Sequence, residues 1–427
     1  MTDSRLAPWL SASRWPTAPI RLVARLGSGH TPSRSKPEYW ENCTVPWITL
    51  ADVWQLRDGR TSIITETKEM VSPLGLANSA AVKHPAGTVI LSRTASVGFS
   101  AIMGRDMATS QDFATWTCGP KLEPRYLLHA LRGMAPDLKR VATGSTHKTI
   151  YMPDIEQLRV PLPPLEEQRR IADFLDAETA LIDRLLSTRQ RHIGLVEERW
   201  ESSIYQELIQ SGAPEIELRR LGVEVTTGPF GTVFSASEYQ EGGIPMVNPL
   251  HIRNGEITPD FHHAVAPETA ARLTRHRLRA GDLVVGRKGD LGRAALVQAS
   301  QDGWICGSDC IAVHPGEGIR SHFLDYVLRS QYIRSQLLAR SLAATMPSLN
   351  EGSLLSLRIP RLTLHEQDSM SNRLDQAHDW LVRARHSMRR QVALLSERRQ
   401  ALITAAVTGQ FDVSTASGRN VTEGVSA

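Results

Sequence analysis

The sequence predicts an α+β protein with two tandem mixed α/β modules and two long helices that pack on each other as an antiparallel coiled coil. Three observations predict this fold. The chain repeats itself once along its 427 residues. Each copy opens with short β-rich runs that are broken by glycine, proline and serine. Each copy then closes with a segment of about 45 residues that contains no proline.

The repeat is clearest in three pairs of segments that keep their order. RVPLPPLEEQRRI at residues 159–171 returns 199 residues later as RIPRLTLHEQDSM. AGTVILSRTASVG at residues 86–98 returns as AGDLVVGRKGDLG at residues 280–292. The segment at residues 38–48 resembles that at residues 238–247. An ordered repeat of this length predicts two copies of one structural unit.

Two segments have the pattern of long amphipathic helices. The first covers residues 165–210 and carries Glu166 and Glu167 in its first turn, where acidic side chains oppose the helix dipole. The second opens on a candidate capping box formed by Thr363 and Glu366. Apolar residues recur mostly three, four or seven apart, and the predicted stripe of the first helix includes Leu175, Ile182 and Leu185. Each helix therefore needs a long apolar partner, and we expect the two to pack together. The alternative is that each helix covers only its own module.

The repeat divides the chain into five segments. They are a first module at 1–163, a first spacer helix at 164–212, a second module at 213–362, a second spacer helix at 363–411, and a small, polar tail at 412–427 that we expect to be disordered.

Composition indicates a globular, cytoplasmic protein. Hydrophobic residues make up 41% and charged residues 22% of the chain, which is ordinary for globular proteins. No apolar run approaches the roughly 18 residues of a membrane span, and the first residues lack a signal-peptide layout. The four cysteines, Cys43, Cys118, Cys306 and Cys310, are too few for a disulfide framework, so we expect them to be reduced.

The basic residues are mostly arginine. Only seven of the 49 lysines and arginines are lysines, and the net charge is +4. Arginine suits bidentate contacts with phosphate and with guanine. A GC-rich genome gives the same bias, and the two explanations stay open.

Several strings resemble a known family when they are taken in order. They are GSGHTPSRSKPEYWENCTVPWITLADV at 27–53, GSTHKTI at 144–150, PLPPLEEQRRI at 161–171, GPFGTVFSASEYQEGGIPMV at 228–247 and TMPSLN at 345–350. Together they resemble the target recognition domains and helices of type I restriction-modification specificity subunits, the HsdS family. The resemblance covers residues 20–411.

The resemblance implies a non-catalytic DNA reader without a cofactor. Each target recognition domain would bind one half of a gapped, two-part site in double-stranded DNA. The helices would act as a spacer and as the dock for two modification (methyltransferase) subunits, and restriction (helicase-nuclease) subunits would complete the enzyme. Two similar modules related by a pseudo-two-fold axis suit two half-sites, as dimers do. The alternative is a stand-alone DNA-binding or regulatory protein of the same fold without partner subunits.

Two departures separate the second copy from the first. LHEQDSM replaces LEEQRRI and the doubled proline is absent, which leaves room for a different start or docking of the second helix. The second copy also has no counterpart of the GSTHK segment with its lysine.

Catalytic and metal motifs are absent or incomplete. The string Asn248-Pro249-Leu250-His251 lacks the second proline and the aromatic residue of the Asn/Asp-Pro-Pro-aromatic tetrad of S-adenosylmethionine methyltransferases, and there is no GxxxxGK[ST] phosphate loop. Pro153, Asp154 and Glu156 fit the start of a short helix better than a nuclease core. Cys306, Cys310 and His314 resemble a zinc half-site, but a structural zinc needs about four ligands, so a strand flanked by small residues is the preferred interpretation. We predict no metal site.

Candidate DNA contacts lie in polar and basic loops. In the first module they are Ser28, His30, Thr31, Ser33, Arg34, Arg93, Thr94, Ser145, Thr146, His147 and Lys148; in the second they are Phe230, Arg287, Lys288, Thr345, Ser348 and Asn350. Arginine and lysine can read guanine, and Asn350 could pair with adenine. For each residue, a phosphate contact or a solvated loop position is the alternative. The basic cluster at residues 272–279 is either a phosphate-facing patch or an exposed helix face.

Overall fold

A computed structural model describes residues 8–57, 59–143, 148–258, 260–288, 292–341 and 348–415. The chain forms two compact units: unit 1 combines Met1–Gln190 with Arg389–Ala427, and unit 2 is Arg191–Met388. The five segment boundaries stay a prediction. Of the predicted tail, residues 416–427 lie outside the described residues, and Val413–Thr415 is a short 3-10 helix.

Unit 1 contains ten strands, four short helices within the described residues, and parts of both long helices. The strands are β1 Thr17–Pro19, β2 Ala24–Ser28, β3 Val45–Ile48, β4 Ile63–Ile64, β5 Glu69–Val71, β6 Val89–Ser92, β7 Ser100–Met103, β8 Ala108–Thr109, β9 Phe113–Cys118 and β10 Arg159–Pro161. The helices are α1 Pro73–Ala77, α2 Pro124–Gly133, α3 Ala135–Val141, α4 Met152–Glu156 and the long α5 Leu165–Gln210. The predicted short helix at Pro153 is therefore confirmed.

The main sheet of unit 1 has the strand order β2-β9-β6-β7-β4. All four residues of β6 are buried, and the first three, Val89 to Leu91, are apolar. A second sheet has the order β5-β3-β8, and β1 pairs with β10 next to the start of α5. The core includes Trp116 of β9 and Tyr126 of α2, both fully buried.

Unit 2 repeats this arrangement. Its strands are β11 Glu215–Glu217, β12 Glu224–Thr227, β13 Tyr239–Gln240, β14 Ile244–Val247, β15 Ile252–Arg253, β16 Glu256–Ile257, β17 Ala264–Val265, β18 Leu283–Gly286, β19 Ala294–Leu296, β20 Ile305–Cys306, β21 Cys310–His314 and β22 Arg358–Pro360. Its helices are α6 Pro267–Arg272, α7 Ser321–Arg329, α8 Gln331–Ser341, α9 Glu351–Leu355 and the long α10 Leu364–Thr408. Each long helix contributes residues to both units.

The strand order of unit 2 matches that of unit 1 position by position. The order β12-β21-β18-β19 corresponds to β2-β9-β6-β7, and β11 pairs with β22 as β1 pairs with β10. In the smaller sheets, β14 is antiparallel to β17 and parallel to β20, as β3 is to β5 and β8. The predicted internal repeat is therefore a repeat of topology.

A buried glutamine fastens the start of α5 to unit 1. Gln168 is fully buried. Its Oε1 accepts a hydrogen bond from the Glu123 N–H at 2.9 Å, and its Nε2 donates to the carbonyls of Lys121 and Pro163, both at 2.9 Å. One side chain therefore joins the helix to the loop before α2 and to the strand end before α5.

The equivalent glutamine of unit 2 makes the same three hydrogen bonds. Gln367 accepts from the Arg320 N–H at 2.8 Å and donates to the carbonyls of Gly318 at 3.2 Å and Leu362 at 3.0 Å. The capping box also forms, since Thr363 and Glu366 exchange hydrogen bonds of 2.8 and 3.3 Å. The second helix therefore docks as the first does, but it starts with a capping box where the first has the doubled proline.

A carboxylate makes a second attachment about two turns further along each long helix. In unit 1, Asp176 lies 2.8 Å from Nε2 of the buried His129 on α2. In unit 2, Asp375 accepts from the Tyr326 hydroxyl and contacts His322 Nε2 on α7, each at 2.6 Å.

Apolar side chains of both long helices share the core of unit 1. Ile182 and Leu186 of α5 lie in the same cluster as Leu402 and Ile403 of α10. The predicted stripe included Leu185, which is wrong, because Leu185 is 44% exposed and Leu186 is buried. A step of four residues from Ile182 turns about 40° around the helix, whereas a step of three turns about 60° the other way.

An ion pair and a ring contact show the helix direction in unit 1. Arg399 Nε lies 3.0 Å from Asp183 Oδ1, both side chains are mostly buried, and Arg399 Nη2 donates to the Gly59 carbonyl at 2.7 Å. Phe174, earlier on α5, stacks on Phe411, just after α10, with ring centroids 5.5 Å apart. The two helices therefore run antiparallel here.

The helix segments of unit 2 pair in the same sense. Arg373 lies 2.7 Å from Glu207, and Arg385 lies 3.7 Å from Glu197. Since residue numbers fall on α5 as they rise on α10, this pair is antiparallel too. The predicted antiparallel packing of the two long segments is confirmed within each unit.

The two ends of unit 1 meet in space. The Arg14 N–H donates to the Thr408 carbonyl at 2.9 Å, and Gln410 Nε2 donates to the Ala12 carbonyl at 3.5 Å. The first described segment of the chain thus binds the end of α10. Within the described ranges, no helix combines the length and the apolar character needed to cross a membrane.

We predict that Gln168→Leu destabilises unit 1 by about 3 kcal/mol, because three hydrogen bonds of about 1 kcal/mol each are lost and their main-chain partners lose the side chain that satisfies them. Urea denaturation measures the free energy of unfolding. Gln206→Leu, at an exposed position of α5, is the control and should change it by less than about 0.5 kcal/mol. Equal stability of the two variants would contradict the role of Gln168.

A second prediction concerns His129. Burial lowers its pKa below the ordinary value of 6.5, against a weaker raising effect of Asp176. As the pH falls through 6.5, the unfolded chain therefore binds a proton at His129 that the folded unit does not bind. This residue thus costs no unfolding free energy above that pH, and the unfolding free energy decreases as the pH falls below it. Between about pH 7.5 and 5.5, the wild type should lose more unfolding free energy than His129→Gln.

Denaturation curves at both pH values measure this difference. His192→Gln, which removes an exposed histidine of α5, is the control and should keep the wild-type slope. If His129→Gln also keeps that slope, the argument from burial fails.

Candidate nucleic-acid interface

Two predicted loops of unit 1 are joined by main-chain hydrogen bonds at one end of the main sheet. Arg93 follows β6, and its carbonyl accepts from the Ile150 N–H at 2.8 Å. The Ala95 N–H donates to the Lys148 carbonyl at 2.9 Å, and Thr94 forms a β-bridge to the same segment. Three predicted contact residues, Arg93, Thr94 and Lys148, therefore lie together.

Residues 109–112, which run from the end of β8 to the start of β9, connect these loops to the first loop. The His30 N–H donates to a carbonyl of this segment at 3.1 Å, and the Thr31 hydroxyl donates to Gln111 Oε1 at 2.7 Å. Arg93 Nε donates to the Gln111 carbonyl at 2.9 Å. Sequence reasoning missed Gln111 because the segment lies outside the recognised motifs. The available signal was a short polar run between two apolar strands.

A glycine allows the first loop to approach this segment in both units. A Cβ on Gly29 would lie 1.9 Å from the Thr109 carbonyl oxygen. A Cβ on Gly228 would lie 1.8 Å from the Gly307 carbonyl oxygen. A side chain at either position would clash with the main chain, so only glycine fits.

Besides Thr31, three predicted contact residues of the first loop already have protein partners. The Ser28 hydroxyl donates to a β9 carbonyl at 3.1 Å, and the Ser33 hydroxyl shares a hydrogen bond of 2.8 Å with a neighbouring serine. Arg34 pairs with Glu69 of β5 and lies 3.8 Å above the Trp40 ring. These side chains stabilise the loop in the conformation described.

Unit 2 contains an equivalent junction. The Arg287 carbonyl accepts from the Leu349 N–H at 2.8 Å, and its N–H donates to the Asp309 carbonyl at 2.9 Å. Lys288 and Ser348 form the β-bridge between the two loops. The predicted residues Arg287, Lys288 and Ser348 therefore lie together, as their counterparts do in unit 1.

The lysine occupies different loops in the two junctions. Lys148 lies on the segment before α4 and is exposed, whereas Lys288 lies on the loop after β18. Lys288 Nζ forms an ion pair of 2.7 Å with Asp309 Oδ1. The described residues around Lys148 offer its ammonium group no such partner.

The polar residues at the start of α9 cap the helix and hold the end of β12. Asn350 Oδ1 accepts from the first turn of α9 at 2.8 Å, so this predicted adenine reader is already the N-cap. Glu351 Oε1 accepts two hydrogen bonds of 2.8 Å from the N–H and hydroxyl of Thr227. These bonds lower the pKa of Glu351 and keep it charged.

Exposed and unpaired groups surround this junction. Phe230 is 65% exposed at the tip of the first loop of unit 2. Arg287 Nε is buried and has no hydrogen-bond partner among the described residues. In the basic cluster, Arg275 and Arg277 are exposed, whereas Arg272 pairs with a glutamate. The cluster follows α6 in a 3-10 turn at Thr274–His276, so most of it is not an α-helix face.

The chain is similar to known proteins in sequence and in fold. Residues 13–193 match the family described as the type I restriction modification DNA specificity domain. The match covers the amino-terminal part of the chain. Over 265 residues, the chain is 24% identical to the MjaIX type I restriction enzyme specificity subunit of Methanocaldococcus jannaschii. That match covers 56% of this chain and 59% of the relative, so the chain spans less than two thirds of its length.

Two solved structures share the fold. One comes from a study of complex assembly and conformational transition of the type I R-M system, with a TM-score of 0.73, 18% identity, and coverage of 93% of this chain and 98% of that one. The other is the HsdS subunit of Thermoanaerobacter tengcongensis, with a TM-score of 0.50, 17% identity, and coverage of 93% and 97%. The predicted fold class and the resemblance to specificity subunits are confirmed. A DNA specificity domain also supports the prediction of a DNA-recognition chain rather than an enzyme.

Four of the predicted contact residues lie outside the described residues. They are Ser145, Thr146, His147 and Thr345. They flank Lys148 and Ser348 in sequence, and their role in DNA contact stays a prediction.

The candidate zinc half-site is a strand, as preferred from the sequence. Cys310 and His314 are the ends of β21, and His314 Nδ1 contacts Asp282 at 2.9 Å. Burial raises the pKa of Cys306 to about 12, so its thiol stays protonated. All four cysteines are free.

The described residues contain one group with metal-ligand geometry, formed by His251, Asp260 and His263, whose ligand atoms lie within 4.8 Å of one another. The Asn248 N–H donates to His251 Nδ1 at 3.1 Å, so the proton of the neutral ring is on Nε2. That N–H faces Asp260, with Nε2 and Oδ2 3.3 Å apart, and His263 Nδ1 lies 2.6 Å from the same oxygen. Asp260 and His263 are hydrogen-bonded to each other, whereas His251 Nε2 has no hydrogen-bond partner among the described residues. Because Nδ1 of His251 accepts from Asn248 and Nε2 carries the proton, the neutral ring offers no free lone pair to a metal.

We predict that Lys148→Ala makes the binding of the full chain to a random-sequence duplex less sensitive to salt. The negative slope of the logarithm of the association constant against the logarithm of the salt concentration should become about 0.9 smaller in magnitude, because one phosphate contact is lost. Lys288→Ala should reduce this magnitude less, because Asp309 already balances that charge. The control is Lys121→Ala, since Lys121 follows the opposite end of β9. An effect of Lys121→Ala as large as that of Lys148→Ala would contradict this interface.

Proposed function

We propose that the chain is the non-catalytic DNA sequence-specificity subunit of a type I restriction-modification enzyme. Each unit binds one half of a gapped, two-part site in double-stranded DNA through its loop junction. The long helices dock two modification (methyltransferase) subunits, and restriction (helicase-nuclease) subunits join that complex. The chain acts in the cytoplasm, and its free cysteines are compatible with a reducing compartment.

The observation that carries this proposal is the repetition of the junction with different side chains. In both units an arginine after the central strand bonds through its main chain to the loop before a short helix, at 2.8 Å in each case. The side chains on this shared frame differ, with Thr94 and Lys148 in unit 1 and Lys288 and Ser348 in unit 2. Two junctions with the same main-chain hydrogen bond but different side chains suit two half-sites of different sequence.

Exposed apolar side chains on the long helices support docking of partner subunits. Leu181 and Leu185 are exposed on the α5 segment of unit 1. In unit 2, Trp380 is exposed beside a cleft of about 360 Å³ that is also lined by Trp200 and Leu381. Large apolar side chains on a helix surface are typical of protein interfaces.

We expect the purified chain alone neither to methylate nor to cut DNA. Addition of its modification subunit and S-adenosylmethionine should produce adenine methylation at a two-part site. Transfer of a labelled methyl group to DNA, with and without the modification subunit, measures this. Methyl transfer by the chain alone would contradict the proposal, as would methylation by the modification subunit that does not need this chain.

A further inference from the structure

We propose that Gln111 reads a base edge in the half-site of unit 1 and that the base it selects is adenine. The inference rests on the proposed function, because it names a specificity-determining residue in the junction described above. Gln111 was not among the residues predicted from the sequence.

The main chain of Gln111 is held on both sides. Arg93 Nε donates to its carbonyl at 2.9 Å, and the Arg93 N–H donates to the Asp112 carbonyl at 2.8 Å. The Ser110 hydroxyl donates to Asp112 Oδ2 at 2.9 Å. The turn is therefore preorganised, and a reading side chain on it loses little backbone entropy on binding.

The side chain of Gln111 is exposed, and a hydrogen bond from Thr31 orients its amide group. Oε1 accepts from the Thr31 hydroxyl at 2.7 Å, which leaves the second lone pair of Oε1 and both amide N–H groups without partners among the described residues. A carboxamide thus presents an acceptor and a donor side by side. Adenine shows the complementary pair in the major groove, the N6 donor and the N7 acceptor.

The neighbouring side chains are less suited to this task. The Arg93 guanidinium donates to main-chain carbonyls at Gln111 and Ile150, so it positions the loops. His30 is exposed, but its two ring nitrogens point in different directions and cannot bind one base edge in parallel. Lys148 offers a point charge, which suits phosphate.

Unit 2 has a different residue at this position. Ser308, between Gly307 and Asp309, corresponds to Gln111, and Asp309 is paired with Lys288. A serine hydroxyl contacts several bases and discriminates weakly. The adenine preference from this position therefore belongs to the half-site of unit 1.

Selection from a duplex library with randomised positions tests this inference with the full chain. The wild type should enrich a two-part motif with adenine at one position of one half-site. Gln111→Ala should reduce the preference for adenine over the other bases at that position by about 5- to 150-fold, the range for one bidentate base contact. The other positions should keep their preference. Gln111→Glu, which only accepts hydrogen bonds, should shift the preference of that position towards cytosine.

Two further variants complete the experiment. Thr31→Val removes the orienting hydroxyl and should relax the same position less than Gln111→Ala. Ser308→Ala, the control in unit 2, should leave that position unchanged. The inference is overturned if Gln111→Ala keeps the wild-type motif, or if it weakens all sequences alike. A wild-type chain that enriches no motif would contradict the proposed function itself, and the inference would fall with it.

Discussion

The attachment of each module to its long helix depends on one buried amide group. Gln168 and Gln367 each replace three hydrogen bonds to water with three to the main chain, in surroundings where an unpaired carbonyl or N–H costs about 1 to 3 kcal/mol. Both main-chain donors and acceptors belong to segments without regular secondary structure. The glutamine therefore fixes loops that no sheet or helix holds, and with them the angle at which the helix leaves the module.

This constraint explains which parts of the repeat stay similar and which differ. The Leu-x-Glu-Gln string recurs because its glutamine must satisfy main-chain groups, which are the same whatever the local side chains are. The junction loops follow the same logic, since Arg93 and Arg287 join their loops through main-chain atoms. Side chains on loops that are held by main-chain hydrogen bonds can change without altering the fold. Recognition can thus vary while the architecture is kept.

Much of the fold could be predicted because it follows from patterns that recur along the chain. The duplication, both long helices and the capping box at Thr363 are properties of spacing and local chemistry. The exact buried face was not predictable, as Leu185 shows, because two adjacent leucines fit the same period and packing against α10 decides between them.

The site was harder to predict than the fold. The structure places the predicted contact residues Arg93, Lys148 and Lys288 at the two loop junctions, and their DNA contacts stay a prediction. The sequence cannot show which polar groups already have protein partners. Asn350 caps a helix, and Arg34 is paired with a glutamate far away in sequence. Gln111 is joined to the site by contacts with Thr31 and Arg93, which are distant in the chain. The short polar run between two apolar strands marks a loop at Gln111 but does not predict these contacts.

The order of the units along the chain affects how they can form during synthesis. Unit 2 is one continuous stretch, whereas unit 1 needs both the first 190 residues and the last helical turns, including the buried Leu402 and Val407. Unit 2 is the loop that separates the two parts of unit 1. Once unit 2 has folded, closing this loop costs less entropy, because the two ends of unit 2 already lie near each other, as the pair of Glu197 with Arg385 shows. A chain cut short near residue 388 would therefore expose the core of the amino-terminal unit, while the interior unit, made later, would already be complete.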